Sequence, residues 1–118
     1  METPTYQDWI ARGTGVCDAE CAQAMGWERS GRWWAEDGVT MAPAEDVVLA
    51  LAWSPTVNRN DTARMVERVV ELRRKSRFTD LLLTTGEGLD SSFMVIAALI
   101  AAPSLVAYCA WRALREEA

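Results

Sequence analysis

The sequence predicts an α+β fold: a small antiparallel sheet with helices packed on both faces, an αβα sandwich. Three observations carry this. Amphipathic helical spacing runs through residues 62–76, turn-separated segments rich in tryptophan, valine and threonine fill 32–41, and the uncharged run Phe93–Trp111 is broken by Pro103. That nineteen-residue run approaches the roughly twenty apolar residues a membrane-spanning helix needs. Proline removes an intrahelical hydrogen bond, biases Ala102 toward extended backbone and suits the first position of a helix. The run therefore divides into a strand and a helix of a core that does not meet lipid. The alternative is a single membrane span over 93–111, with the Arg73–Arg77 flank cytosolic and Arg112 and Arg115 diluting that bias.

Taken in order, Thr5–Arg12 reads as a short amphipathic turn of helix. Thr5 and Asp8 are spaced as an acidic capping box, and Gly13 is the stop. Residues 1–15 are expected to form an N-terminal arm, and 16–118 a single domain. A helix over about 16–25 follows, with Val16, Cys17, Ala19 or Cys21, Ala24 and Met25 as its small and apolar positions and Gly26 ending it. Asp37-Gly38 marks a hairpin between Arg32–Ala35 and Val39–Met41. Pro43, Ala44, Glu45 and Asp46 open a helix into VVLALAW, or that piece is a buried strand; periodicity does not decide so short a run.

Residues 54–61 form a loop ending at an N-cap, Asn60 or Asp61. The next helix turns Ala63, Val66, Val69 and Val70 inward, with Met65 and Leu72 widening the stripe. Arg73, Arg74 and Lys75 stand where the negative end of its dipole favours cations. Phe78–Thr85 and Ser92–Ile100 are expected to be two strands of a hairpin around a glycine-bearing loop, although the alanines of the second suit a helix nearly as well. Pro103 opens a last helix to about Glu116, with Leu105, Val106, Cys109, Ala110 and Ala113 inward.

At 118 residues the chain is large enough to bury a core without disulfides or metals. It carries a net charge of −5 and no histidine. The commonest general base near neutral pH and the commonest metal ligand are thus missing, which argues against most hydrolase and metalloenzyme schemes. Three cysteines and no signal peptide point to a reducing cytosol rather than a disulfide framework.

Cys17 and Cys21 share a helix face and could hold two corners of a zinc site. Small buried hydrophobes explain them, with Cys109, more simply. Gly86, Glu87 and Gly88 lack the third glycine and the strand-to-helix context of a nucleotide fingerprint. No catalytic residue, cofactor or metal is assigned. An enzyme would need a carboxylate such as Asp80 or Glu87.

Two groups are binding candidates. Trp27, Trp33 and Trp34 cluster beside Arg29 and Arg32, which could stack on an aromatic ligand or base. In a Trp-Trp step on a strand one ring faces the core and its neighbour faces out, so one is expected at an interface or a pocket. Arg73, Arg74, Lys75 and Arg77 form the basic cluster of an acidic chain. They could meet phosphate or an acidic partner, while completion of a helix C-terminus is the plainer explanation. The net charge opposes nonspecific DNA binding, although scattered acids leave mimicry of nucleic acid open.

The order helix, AQAMGW, a Trp-Trp hairpin with an Asp-Gly turn, a Ser-Pro-Thr loop before a V-E-x-V-V-E helix, a second hairpin, and then AAPSLVAYCAWRAL resembles the phage ABA-sandwich family, which includes NinX-like proteins. Met25, Gly26, Trp27, Trp33, Trp34, Gly38, Ser54–Thr56, Ala102, Pro103, Cys109 and Ala110 carry the likeness, over roughly 16–116. Residues 1–15 and 43–52 read as additions, and the loop lacks an aspartate directly after its threonine. The resemblance implies helices on both faces of a small sheet and a phage or prophage origin, and no catalytic residues. The expected function is a non-catalytic, cytoplasmic accessory protein that binds a host protein or a small nucleotide, as an inhibitor of host immunity or a sponge for a nucleotide signal. A self-associating assembly protein that uses its tryptophans is the alternative.

Overall fold

The computed structural model describes residues 3–85 and 103–115. The expected strand 92–100, the glycine-bearing loop and the first half of the apolar run lie outside them. In order come α1 (Tyr6–Ala11), α2 (Thr14–Ala24), β1 (Glu28–Ser30), β2 (Trp33–Glu36), β3 (Val39–Pro43), α3 (Arg59–Glu71), α4 (Lys75–Thr85) and α5 (Pro103–Arg115). The fold is α+β with a small antiparallel sheet, as the sequence predicts.

Thr5 caps α1 through its hydroxyl, which accepts from the Asp8 N–H at 3.2 Å. The α1 segment is no loose arm, because Trp9 is wholly buried and stacks on Trp111 at 5.2 Å. Pro103 does open a helix, and α5 is the hub against which α1, α2, α3 and α4 pack. Every residue from Val106 to Trp111 is buried, so the middle of this helix is enclosed, while Leu105 and Arg112 are half-buried and Arg115 is exposed. No described helix is long and apolar enough to cross a membrane.

The strands lie in the order β1-β2-β3, with Trp34 paired to Arg29 on one side and Ala42 on the other. The sequence suggests only the β2–β3 hairpin; β1 adds an exposed edge strand. Among the described residues full burial falls on one face of the sheet, where Trp34 and Ala42 join the core, so the expected helix cover of both faces is seen on one. Trp33 on the other face is 38% exposed. The expected split of the Trp-Trp step therefore holds.

Several expectations between residues 43 and 85 change. Phe78–Thr85 is not a strand: it belongs to α4, because Phe78, Leu81 and Leu82 fall at helical spacing and all three are buried. Residues 43–52 form neither a long helix nor a buried strand. Past Pro43 they make a tight turn in which the Val47 and Ala50 amides and carbonyls bond each other at 2.9 and 3.0 Å. The N-cap of α3 is Asn58, whose side chain accepts from the Asn60 N–H at 2.9 Å. The inward stripe of α3 is Thr62, Met65 and Val69, and Val70 is exposed.

The basic cluster does not end a single helix. Helix α3 closes with Arg73 in the left-handed region (φ 59°), its N–H on the Val70 carbonyl and the Arg74 N–H on that of Val69, the paired bonds of a Schellman cap. Lys75 begins α4. Arg74 turns away to α5, where its Nη1 donates to the carbonyls of Ala113 and Leu114 at 3.1 and 2.6 Å. It thereby satisfies carbonyls that the end of α5 leaves without intrahelical partners. Arg74→Met should cost about 1–2 kcal/mol in urea unfolding, the range for a partly exposed charged hydrogen bond.

Candidate functional site

The structure distributes the predicted tryptophan and arginine cluster over three places. Trp27 is buried and meets Trp53 edge-on at 4.7 Å between centroids. The cation over these two rings is Arg64, at 5.2 and 5.5 Å, and it also donates to the Met41 carbonyl. Trp34 is buried with the Arg29 guanidinium 5.9 Å from its ring centroid. Arg29 and Arg32 both engage Glu45, at 3.5 and 2.6 Å. Arg32 further donates to the Asp46 carbonyl, so these arginines tie the hairpin to the segment after β3. Trp33 alone keeps an open ring.

Arg73, Arg74, Lys75 and Arg77 lie at the α3–α4 junction. Among the described residues, none of them joins Trp27, Trp33 or Trp34 in the clefts those tryptophans line.

The three cysteines are buried thiols. Cys17 donates to the Trp9 carbonyl through Sγ at 3.1 Å. Burial pushes its pKa up, and that of Cys21 well above its ordinary value. Both stay protonated at neutral pH, which makes them poor nucleophiles and poor metal ligands.

Sequence reasoning missed three features. The first is a polar anchor for the Ser-Pro-Thr loop. Asp18, buried on α2, accepts from the Thr56 N–H at 3.1 Å and its hydroxyl at 2.8 Å, while its backbone carbonyl takes the Trp53 indole N–H at 3.0 Å. Asp61 accepts from the Ser54 N–H at 3.0 Å. Burial raises the Asp18 pKa, the Thr56 bonds oppose the rise and Asp61 adds to it. The second is a cleft of about 620 Å³ between α1, α2 and α5, lined by Arg12, Glu20, Gln23, Trp111 and Arg115. Its residues lie far apart in the chain, and no local pattern announces it.

The third is the 47–51 turn. Val48 is 91% exposed, Leu49 fully exposed and Leu51 76% exposed. Leu49 takes φ 67°, a left-handed conformation that costs a branched residue about 1–2 kcal/mol. The turn is held in place: the Asp46 carboxylate accepts from the Ala52 N–H at 2.7 Å, and Arg32 clamps Glu45 and the Asp46 carbonyl from the start of β2. The apolar run VVLALAW is the signal that could have found it, but it reads equally as core. No family model matches the chain, and neither do curated proteins or solved structures.

Proposed function

We propose that this is a non-catalytic accessory protein of phage or prophage origin that acts in the host cytoplasm by inserting its 47–51 turn into an apolar groove of a host protein. One observation carries the reading: three bulky aliphatic side chains are held in water by a braced turn that includes a left-handed leucine. Exposed apolar groups and backbone strain are both unfavourable in the free protein, and both are offset when a partner removes the side chains from water. Glu45 beside the turn is already neutralised by Arg29 and Arg32, so the aliphatic side chains and not charge define the complementary surface, an apolar groove. Inhibition of a host immune protein is the specific form to test first. A nucleotide sponge at the tryptophan surface is disfavoured, because Arg29 and Arg32 are committed to Glu45.

A photo-crosslinking amino acid at position 48, expressed in the bacterial host, is expected to give one discrete adduct with a host protein. Leu49→Asp should abolish it. An adduct only with a second copy, matched by a dimer in light scattering, would favour the assembly reading that exposed Trp33 supports. No adduct at all would contradict both.

A further inference from the structure

We propose that the cleft between α1, α2 and α5 binds an organic carboxylate, with Arg115 as the group that recognises it. The cleft is built from a stack. Trp9 is wholly buried and lies 5.2 Å from Trp111, and the Arg115 guanidinium sits 4.4 Å from the centroid of the Trp111 ring. A guanidinium laid over an aromatic face is held in place while its N–H donors stay at its edge, the geometry that grips a carboxylate with two parallel bonds.

The one acid among the described lining residues is already committed. Glu20 receives Arg12 on one oxygen at 2.7 Å and the Trp9 indole N–H on the other at 3.3 Å. Hydrogen bonding to Glu20 raises the Arg12 pKa, so its charge is secure. Arg12 spends Nε on the Trp9 carbonyl and Nη1 on Glu20, which leaves Nη2. Among the described residues no carboxylate pairs with Arg115.

The cleft therefore offers donors, from Arg115, Arg12 and the Gln23 amide, against a spent acceptor. Among the described lining residues two guanidiniums face one carboxylate, a balance that favours an anion. A volume of about 620 Å³ falls in the range of small-molecule sites and exceeds what a bare ion fills. Pro4 and Ala24 supply apolar wall for the body of the molecule. The carboxylate could be that of a free acid or of a peptide terminus.

Two-dimensional ¹H–¹⁵N NMR titration of the whole protein tests this, using benzoate and N-acetyl-alanyl-alanine, the amide of each, and inorganic phosphate. Both acids are expected to give saturable shifts at the Trp111 indole and Gln23, and the amides none. The acid that binds more tightly identifies the source. Arg115→Gln should weaken binding about tenfold or more, with Arg115→Lys recovering only part because lysine lacks the fork. Gln23→Glu, an exposed change, should weaken it by adding a like charge. A thermal melt confirms that each variant is folded. The proposal fails if no probe saturates, if the amides bind as well as the acids, if phosphate binds as tightly as the carboxylates, or if neither Arg115→Gln nor Gln23→Glu changes the affinity.

Discussion

Trp9→Ala is expected to destabilise the protein by about 3–5 kcal/mol, the cost of removing a large buried aromatic side chain and leaving a cavity. The ring is wholly buried, lies within 5.3 Å of Tyr108 and 5.2 Å of Trp111 between centroids, and donates its indole N–H to Glu20. Stability of a single domain is roughly 5–15 kcal/mol in all, so this one change should remove a large part of it. Deleting residues 1–12 should do the same, since this segment brings Trp9 and the Pro4 carbonyl, which the Tyr108 hydroxyl reaches, to α5. Urea unfolding with tryptophan fluorescence checks both. A variant as stable as the parent would return residues 1–15 to the status of an arm.

The second large effect belongs to Asp18. Asp18→Ala should cost about 2–3 kcal/mol, because it leaves the Thr56 N–H and hydroxyl buried without an acceptor. Asp18→Asn keeps an acceptor oxygen and should lie close to the parent. The two variants also differ in pH response. Burial raises the Asp18 pKa above its ordinary 3.8. Between that value and the higher folded value, the folded state binds more proton than the unfolded chain. The contribution of this residue to stability therefore falls as pH rises through that window, and the penalty is complete above it. Asp18→Asn removes this dependence. Stability measured from acid to neutral pH should show the difference between Asn variant and parent moving in favour of the variant as pH rises. A difference that does not change would contradict the reading.

Much of the frame was legible where a local signal has a single physical meaning. Thr5 with Asp8, the Asp37-Gly38 turn, and Pro103 at the head of a helix each specify backbone geometry within four residues. The alternation of Trp33 and Trp34 about a strand followed from the pleat alone. What failed was the assignment of short apolar runs. FTDLLLTT carries β-favouring residues at both ends, yet Phe78, Leu81 and Leu82 stand one, four and five places into an inward helical stripe, and the packing surface of α5 decides. The spacing was present, and three consecutive leucines already broke strict strand alternation.

VVLALAW failed for the opposite reason. Nothing in an apolar run says which part water will surround, and here the side-chain cap of Asp46 and the reach of Arg32 hold Val48, Leu49 and Leu51 out while Trp53 at its end is buried. Arg74 shows a third limit. Its place in a basic run suggests the end of its own helix, whereas its guanidinium closes a helix about forty residues further on. The Arg12–Glu20–Arg115 cleft likewise needs three helices to assemble before any of its residues is distinguishable from ordinary surface charge.

The binding role rests on aliphatic side chains that stand in water above a closed core, and methyl NMR with a soluble paramagnetic probe measures that directly. With the free protein, the methyl signals of Val48, Leu49 and Leu51 are expected to broaden strongly, while those of Val69, Leu82 and Val106 stay sharp. Leu49 methyls as sheltered as those of Leu82 would show that the protein covers this turn itself, and the proposed contact with a host groove would have to be abandoned.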